Sequence, residues 1–167
     1  MRHFIVLSAV LLISACAGQA IGPVQLTPAK PDSGAYAKVY LMRPGTERMM
    51  GFADNPLDVD ANDKPLVRLA KAEYTLVTLP PGRVQLTAHN QTSFGPSHKI
   101  KKISRTRTVT LVEGQTYYII LRPIDGEFRG AYFMPEQLEF AEARVVAASL
   151  RATGPARTAP IPSLPQQ

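Results

Sequence analysis

Proline occurs along most of this chain, and it limits the folds that the chain can adopt. The 167 residues include fifteen prolines. Each proline fixes φ and removes a backbone N–H donor, so a proline inside a helix breaks or kinks it. The distribution therefore argues against a helical bundle. It divides the chain into short segments that end at turn signals, and such segments favour β-strands.

The segments between the turns are rich in residues that favour strands. Val84, Leu86 and Ala88 alternate with polar neighbours, which is the pattern of a half-buried strand. Asn62-Asp63 suits a tight hairpin, because both residues tolerate positive φ. The predicted strands are 36–43, 57–61, 65–69, 74–79, 83–89, 103–112 and 116–121, the last of which is apolar on both faces, as a central strand is.

These strands predict a small sandwich or barrel, and we expect an antiparallel β-sandwich of about seven to eight strands with one C-terminal helix. The helix would open at Pro135, with Glu136 at its N-terminal end and Arg144 toward its C-terminal end. With 45% hydrophobic and 19% charged residues, the chain has the composition of a globular domain rather than of a disordered chain. The single cysteine excludes a disulfide scaffold.

The N-terminus has the three parts of a secretory signal. Met1-Arg2-His3 is positively charged, residues 4–13 are apolar, and Ser14-Ala15 are small. The apolar run is too short for a permanent membrane helix, which needs roughly 20 residues. An ordinary signal, cleaved at Ala15-Cys16-Ala17 or at Gly18-Gln19-Ala20, is one interpretation.

The favoured interpretation rests on Ile13-Ser14-Ala15-Cys16, which resembles the lipobox of bacterial lipoproteins. The resemblance implies cleavage between Ala15 and Cys16, and a diacylglyceryl group and an N-acyl chain such as palmitate on Cys16. Several acyl chains are needed for stable anchoring, because one chain binds a membrane only marginally. Ala17 is not the aspartate that is associated with inner-membrane retention, so anchoring at the outer membrane with a periplasmic body is expected.

Four segments follow from this interpretation. Residues 1–15 are a signal peptide, and residues 16–34 are the lipidated cysteine and a proline-containing flexible tether. Residues 35–151 are the β-sandwich domain. Residues 152–167 contain four prolines among small and polar residues, which predicts a disordered tail.

Three segments of the body carry a second resemblance. Val39 to Gly45 ends in Arg-Pro-Gly, residues 79–82 read Leu-Pro-Pro-Gly, and residues 113–118 read Glu-Gly-Gln-Thr-Tyr-Tyr. This series resembles an uncharacterised family of bacterial lipoproteins and secreted proteins of small β-sandwich domains. The family has no established activity, so the resemblance implies a fold and a location only.

The patterns of catalytic and metal sites are incomplete in this chain. After signal removal only His89 and His98 remain, and Ser97 beside His98 would point away from it on a strand. Asp58-Val-Asp60-Ala-Asn62 opens like a calcium loop, but Asp63 replaces the glycine that such a loop needs. We therefore expect no catalytic residue, no metal and no cofactor apart from the lipid.

A basic segment is the remaining candidate site. Its five members are Lys99, Lys101, Lys102, Arg105 and Arg107, and no Asp or Glu occurs between Tyr74 and Val112. They predict a positive face or loop that binds an anionic envelope component or an acidic envelope protein. The export signal argues against nucleic acid. The alternative is a solvated edge strand whose lysines prevent aggregation.

Two functions are compatible with these observations. The first is a membrane-anchored envelope lipoprotein that acts as a non-enzymatic interaction or structural module. The second is an envelope glycan-binding or glycan-modifying protein, with Asp58, Asp60 or Glu73 lining a concave groove. Tyr117 and Tyr118 could stack on a sugar, but core packing is the favoured interpretation of these tyrosines.

Overall fold

The computed structural model describes residues 35–45, 55–94, 99–124 and 132–163. The predicted signal peptide, Ala15, Cys16, the tether and the pair Ser97-His98 lie outside the described residues. The described elements are β1 (Ala37–Arg43), β2 (Leu57–Ala61), β3 (Lys64–Leu69), β4 (Glu73–Leu79), β5 (Gly82–Phe94), β6 (Lys99–Leu111), β7 (Thr116–Ile124), β8 (Tyr132–Leu138), α1 (Phe140–Ala147) and β9 (Arg151–Thr153). A short 3₁₀ helix, Gly154–Arg157, follows β9.

The strands form two sheets. The five-stranded sheet has the order β8-β7-β1-β4-β9, and the four-stranded sheet has the order β3-β2-β5-β6. The prediction of a mainly β fold with two sheets and one helix near the C-terminus is confirmed. Two pairings in the five-stranded sheet, β1 with β7 and β4 with β9, are parallel. These pairings join strands far apart in sequence, so local patterns gave no sign of their direction.

The hairpin between β2 and β3 turns at the predicted residues. Asn62 and Asp63 have φ of 48° and 62°, the left-handed conformation that a two-residue hairpin turn needs. The Asn62 side chain also accepts a hydrogen bond of 2.9 Å from the Gln85 backbone N–H of β5. This bond ties the turn to the neighbouring strand.

The main core lies between the two sheets. Its side chains come from the inward faces of both, and alternate residues of β5 contribute Val84, Leu86 and Ala88, as their spacing predicts. Arg43 at the end of β1 is also fully buried. One of its guanidinium nitrogens donates to the Leu69 carbonyl at 2.8 Å, and the guanidinium lies 5.4 Å from the Phe133 ring centre. Arg43 is therefore part of the core as well as of a turn signal.

A second core lies on the opposite face of the five-stranded sheet. Helix α1 and the C-terminal segment cover this face, and Ala143, Ala147, Ala156 and Ile161 are buried there. The prediction of a disordered tail from residue 152 is wrong for the described part of that segment. Apolar side chains at positions 156 and 161 dock onto the sheet, and their burial outweighs the irregularity that the prolines impose. Residues 164–167 lie outside the described residues.

The helix begins later than predicted. Pro135 lies inside β8 and is buried, and α1 starts at Phe140. β8 is an edge strand, which is where a sheet tolerates a residue without an N–H. Within the described residues, no helix is both long enough and apolar enough to cross a bilayer.

Candidate functional site

Polar side chains cover the outer face of the four-stranded sheet. The core occupies the inner face, so strand alternation turns the intervening residues of β2, β3, β5 and β6 outward. We call this surface the polar sheet face. Its members are Asp58 and Asp60 of β2, Arg68 of β3, His89 of β5, and Lys102 and Ser104 of β6.

Three of these residues form a hydrogen-bonded chain across three strands. His89 Nε2 lies 2.9 Å from an Asp60 carboxylate oxygen, and His89 Nδ1 lies 2.7 Å from Ser104 Oγ. The His89 side chain is 15% exposed and that of Asp60 is 23% exposed. With a neutral imidazole, Nε2–H donates to Asp60 and the Ser104 hydroxyl donates to Nδ1.

The chain Asp60–His89–Ser104 contains the three residue types of a nucleophilic triad. A triad also needs donors for the oxyanion of the tetrahedral intermediate. Strands β2 and β5 are paired on both sides, so their backbone N–H groups are occupied by the sheet, and the outer N–H groups of the edge strand β6 lie in the plane of the sheet rather than on the face where His89 and Ser104 meet. The arrangement therefore favours a cross-strand polar network that fixes the register of β2, β5 and β6.

Sequence reasoning missed Ser104. It considered Ser97 because that residue is adjacent to His98 in sequence, whereas Ser104 faces His89 only through the β5–β6 register. The signal that could have found it is the alternation of β6. Ser104, Thr106 and Thr108 are alternate residues of β6, so their side chains lie on the same face of the strand. On that face the Thr106 and Thr87 hydroxyls form a hydrogen bond, with 2.9 Å between the two oxygens.

Asp58 and Arg68 form a second pair on this face. The Arg68 guanidinium donates to the Asp58 carboxylate at 2.6 Å, and this hydrogen bond raises the pKa of Arg68. Both side chains are about half exposed, at 51% and 44%, so the ion pair contributes little to stability. Two adjoining depressions of about 280 and 390 Å³ lie here, partly open to solvent, and Asp58, Arg68, His89 and Lys102 line both.

In the structure, the polar side chains of the calcium-like segment, residues 58–62, bind other groups of the protein. Asp58 binds Arg68, Asp60 binds His89, and the Asn62 side chain binds the backbone of β5. Among the described residues, no three His, Cys, Asp or Glu side chains are grouped as metal ligands.

The five basic residues lie on β6, but they do not share one face. Lys102 is on the polar sheet face. Arg105 and Arg107 pair with Ala88 and Leu86, so they belong to the opposite, core-side face of this edge strand, as Lys101 does by alternation. The backbone of Lys99 pairs with Phe94. The prediction of a single positive face is therefore wrong: the segment is a strand, and alternation divides its charges between two faces.

Residues of strand β8 interact with the two arginines on the core-side face of β6. The Arg105 guanidinium lies 4.3 Å from the Tyr132 ring centre, a cation–π distance. Arg107 is close enough to Glu136 to help lower the pKa of that carboxyl. The main cause of the lowered pKa of Glu136 is a pair of hydrogen bonds from Arg122, at 2.6 and 3.2 Å.

Glu73 is not part of the polar sheet face. Its side chain is 4% exposed at the start of β4. One carboxylate oxygen accepts a hydrogen bond from the Ala70 backbone N–H at 2.9 Å, and the other accepts one from Arg151 of β9. These contacts hold the β3–β4 turn and the parallel strand β9 in place, so Glu73 is not available to line a groove.

The two adjacent tyrosines of β7 pack on opposite sides of the sheet. Tyr117 packs against the main core, and its hydroxyl accepts a hydrogen bond from the Val112 N–H at 2.9 Å. Tyr118 stacks on Tyr40 with 5.5 Å between ring centres, and it also contacts Phe140. Burial raises the pKa of both Tyr40 and Tyr118. Both tyrosines of β7 thus have packing partners.

No family model, curated protein or solved structure matches this chain. The resemblance to a family of bacterial lipoproteins therefore stays a prediction from the sequence. What the structure adds is a two-sheet fold with a polar sheet face, a basic edge strand and a second core beneath the C-terminal segment.

Proposed function

We propose that this protein is a bacterial envelope lipoprotein that acts as a non-enzymatic interaction or structural module. Cys16 carries the lipid and fixes the chain to the outer membrane. The β-domain lies in the periplasm, and residues 17–34 link it to the anchor. Such a linker reaches at most about 60 Å when fully extended, so the attached end of the domain stays within that distance of the membrane.

The observation that carries the binding role is the arrangement of charged groups on the four-stranded sheet. Asp58 contacts the Arg68 guanidinium and Asp60 the His89 imidazole, and the adjoining depressions are partly open to solvent. Small-molecule sites bury most of their ligand in a concave pocket. An open sheet face and a long basic edge strand suit contact with another macromolecule instead.

The glycan hypothesis has less support from the described residues. Glu73 is buried and bound to Arg151, while Asp58 and Asp60 lie two positions apart on one strand and face the same way. Glycosidase chemistry needs two carboxyl groups on either side of the sugar bond. We therefore place the interaction module first.

Metabolic labelling tests the anchor. Diderm cells that express the full chain would be fed radiolabelled palmitate, and their outer membranes isolated on a density gradient. We expect label on the wild-type chain and none on Cys16→Ser, while Ser8→Ala serves as a matched control in the apolar run and keeps the label. An unlabelled wild-type chain would contradict the anchor.

The non-enzymatic role has its own test. The purified full chain would be incubated with peptidoglycan and with outer-membrane polysaccharide, and the released fragments separated by chromatography. We expect no release above that of a heat-denatured sample. Fragments that disappear in Asp58→Asn or Asp60→Asn would instead establish the glycan-modifying hypothesis.

A further inference from the structure

We infer that the free edge of β6 binds an extended, acidic segment of another envelope protein by adding it to the sheet as a further strand. This inference rests on the proposed function, since it names the kind of partner that the interaction module takes. It depends on three features of β6: its position in the sheet, the presence of basic residues on both of its faces, and the absence of acidic residues from β5 and β6 themselves.

The first feature is an open edge. β6 is the last strand in the order β3-β2-β5-β6, and it pairs with β5 along its whole length, from Leu111 opposite Gly82 to Lys99 opposite Phe94. Within the part of the chain that the structure describes, no strand pairs with its other side. β8 lies beneath β5 and β6, where Tyr132 meets Arg105. An edge strand presents a row of N–H and C=O groups that another chain can pair with.

The second feature is the division of charge. Lys102 projects from the polar sheet face, and Arg107 projects from the core-side face of the same strand. A flat anionic surface, such as a membrane, would meet only one of these faces. An added strand meets both, because its own side chains alternate and each lies beside a neighbour on β6.

The third feature is charge complementarity. β6 carries five Lys and Arg residues, and neither β6 nor its neighbour β5 contains an Asp or a Glu. Opposite charges on adjacent strands stabilise pairing, and like charges oppose it. A second copy of β6 would place cations beside cations, so self-pairing is disfavoured. An acidic strand is the occupant that the charges fit.

The probe is a fluorescein-labelled synthetic peptide, as long as β6, that repeats Glu-Glu-Val-Val and therefore has Glu on both faces when it is extended. Fluorescence anisotropy with the full mature chain would give Kd, and hydrogen exchange would report the β6 amides. We expect saturable binding and slower exchange of those β6 amides that face the open edge. Lys102→Glu with Arg107→Glu should weaken binding about tenfold or more, while Lys64→Glu on β3, at the other edge of the sheet, leaves it unchanged.

A second peptide separates strand addition from attraction between charges. It has the same sequence but carries N-methyl groups on alternate amides, which removes hydrogen-bond donors and keeps every charge. We expect it to bind about tenfold more weakly. Equal binding of both peptides, or unchanged exchange at β6, would overturn the inference.

Vesicles containing anionic lipid provide the remaining comparison. Binding to these vesicles through Lys102 and Arg107, without binding of the Glu–Val peptide, would overturn the inference in favour of a membrane contact. These assays do not depend on the lipid at Cys16. If the peptide does not bind, the inference about β6 fails while the palmitate result on the anchor is unaffected. If the chain is unlabelled but still binds the peptide, the anchor fails while the inference about β6 is supported.

Discussion

At the scale of single residues, Arg43 shows how a turn motif can also serve the core. The sequence marks Arg43-Pro44-Gly45 as a strand end, and β1 does end at Arg43. The pattern could not reveal that the arginine side chain is fully buried, with its guanidinium on the Leu69 carbonyl and near the Phe133 ring. Those contacts come from the ends of other strands, so they depend on tertiary structure.

Arg43→Ala should destabilise the fold strongly. The substitution leaves a cavity and removes the donor from the buried Leu69 carbonyl, which together cost about 3 kcal/mol or more. Urea denaturation followed by far-UV circular dichroism would measure the loss. The exposed Arg83→Ala is the matched control and should change stability by less than about 0.5 kcal/mol. Equal midpoints for the two variants would contradict the role of Arg43.

Glu136 should give the fold a pH-dependent contribution. Hydrogen bonds from Arg122 hold the pKa of Glu136 below its ordinary value of 4.5. A carboxyl with a depressed pKa in the folded state stabilises the fold above its unfolded pKa, and this contribution is lost as the pH falls through the folded value. Glu136→Gln should therefore be less stable than wild type at neutral pH, and the difference should be smaller at an acidic pH below 4.5.

Urea denaturation at both pH values would check this prediction. Glu139→Gln, an exposed neighbour, controls for the change in net charge. A stability difference that grows as the pH falls would have the wrong sign and would rule out the stabilising pair between Arg122 and Glu136.

At the scale of elements, alternation and turn chemistry predicted most of the four-stranded sheet. The β2–β3 hairpin and the inward residues of β5 lie where their patterns place them. Pro135 was assigned to a helix because proline often opens one, yet an edge strand also accepts it. The sequence pattern predicts a strand only from residue 103 onward, whereas β6 begins at Lys99, so the pattern does not show that the basic side chains alternate between two faces. Ser104 and His89 could not be matched without the register of β5 and β6.

Asp63→Gly should stabilise the hairpin. Asp63 has a φ of 62°, a conformation that costs a residue with a Cβ more than it costs glycine. Relief of this strain should raise the stability by about 0.5 kcal/mol, even after the larger entropy of glycine in the unfolded chain. A rise in the urea midpoint would agree with this expectation. Asp63→Val should lower the midpoint, and a lower midpoint for Asp63→Gly would contradict the turn assignment.

At the scale of the whole molecule, the C-terminal segment completes a third layer. The four-stranded sheet, the five-stranded sheet and the layer of α1 with residues 154–163 enclose two cores. Composition assigned this segment to a disordered tail, because prolines and small residues dominate it. Sparse contacts hold it instead: Ile161 is buried, and the Ala159 carbonyl accepts a hydrogen bond from the Tyr40 hydroxyl at 2.8 Å. Isolated contacts of this kind do not recur at a regular spacing, so a sequence pattern does not predict them.

Ile161→Ala should show that this segment belongs to the folded domain. Removing most of a side chain that is 6% exposed should cost about 2 kcal/mol or more. Val145→Ala on α1 is the matched control, because that side chain is 60% exposed and should cost less than about 0.5 kcal/mol. Thermal unfolding would compare the two variants. A wild-type melting temperature for Ile161→Ala would mean that the segment does not contribute to the core.

The membrane anchor is tested most directly by the intact mass of the mature chain, purified in uncharged detergent from the outer membrane of a diderm host. We predict a mature chain that begins at Cys16 and carries the added mass of a diacylglyceryl group and one N-acyl chain. A mature chain that begins at any other residue, or that begins at Cys16 without acyl chains, would contradict the assignment of this protein as a lipoprotein.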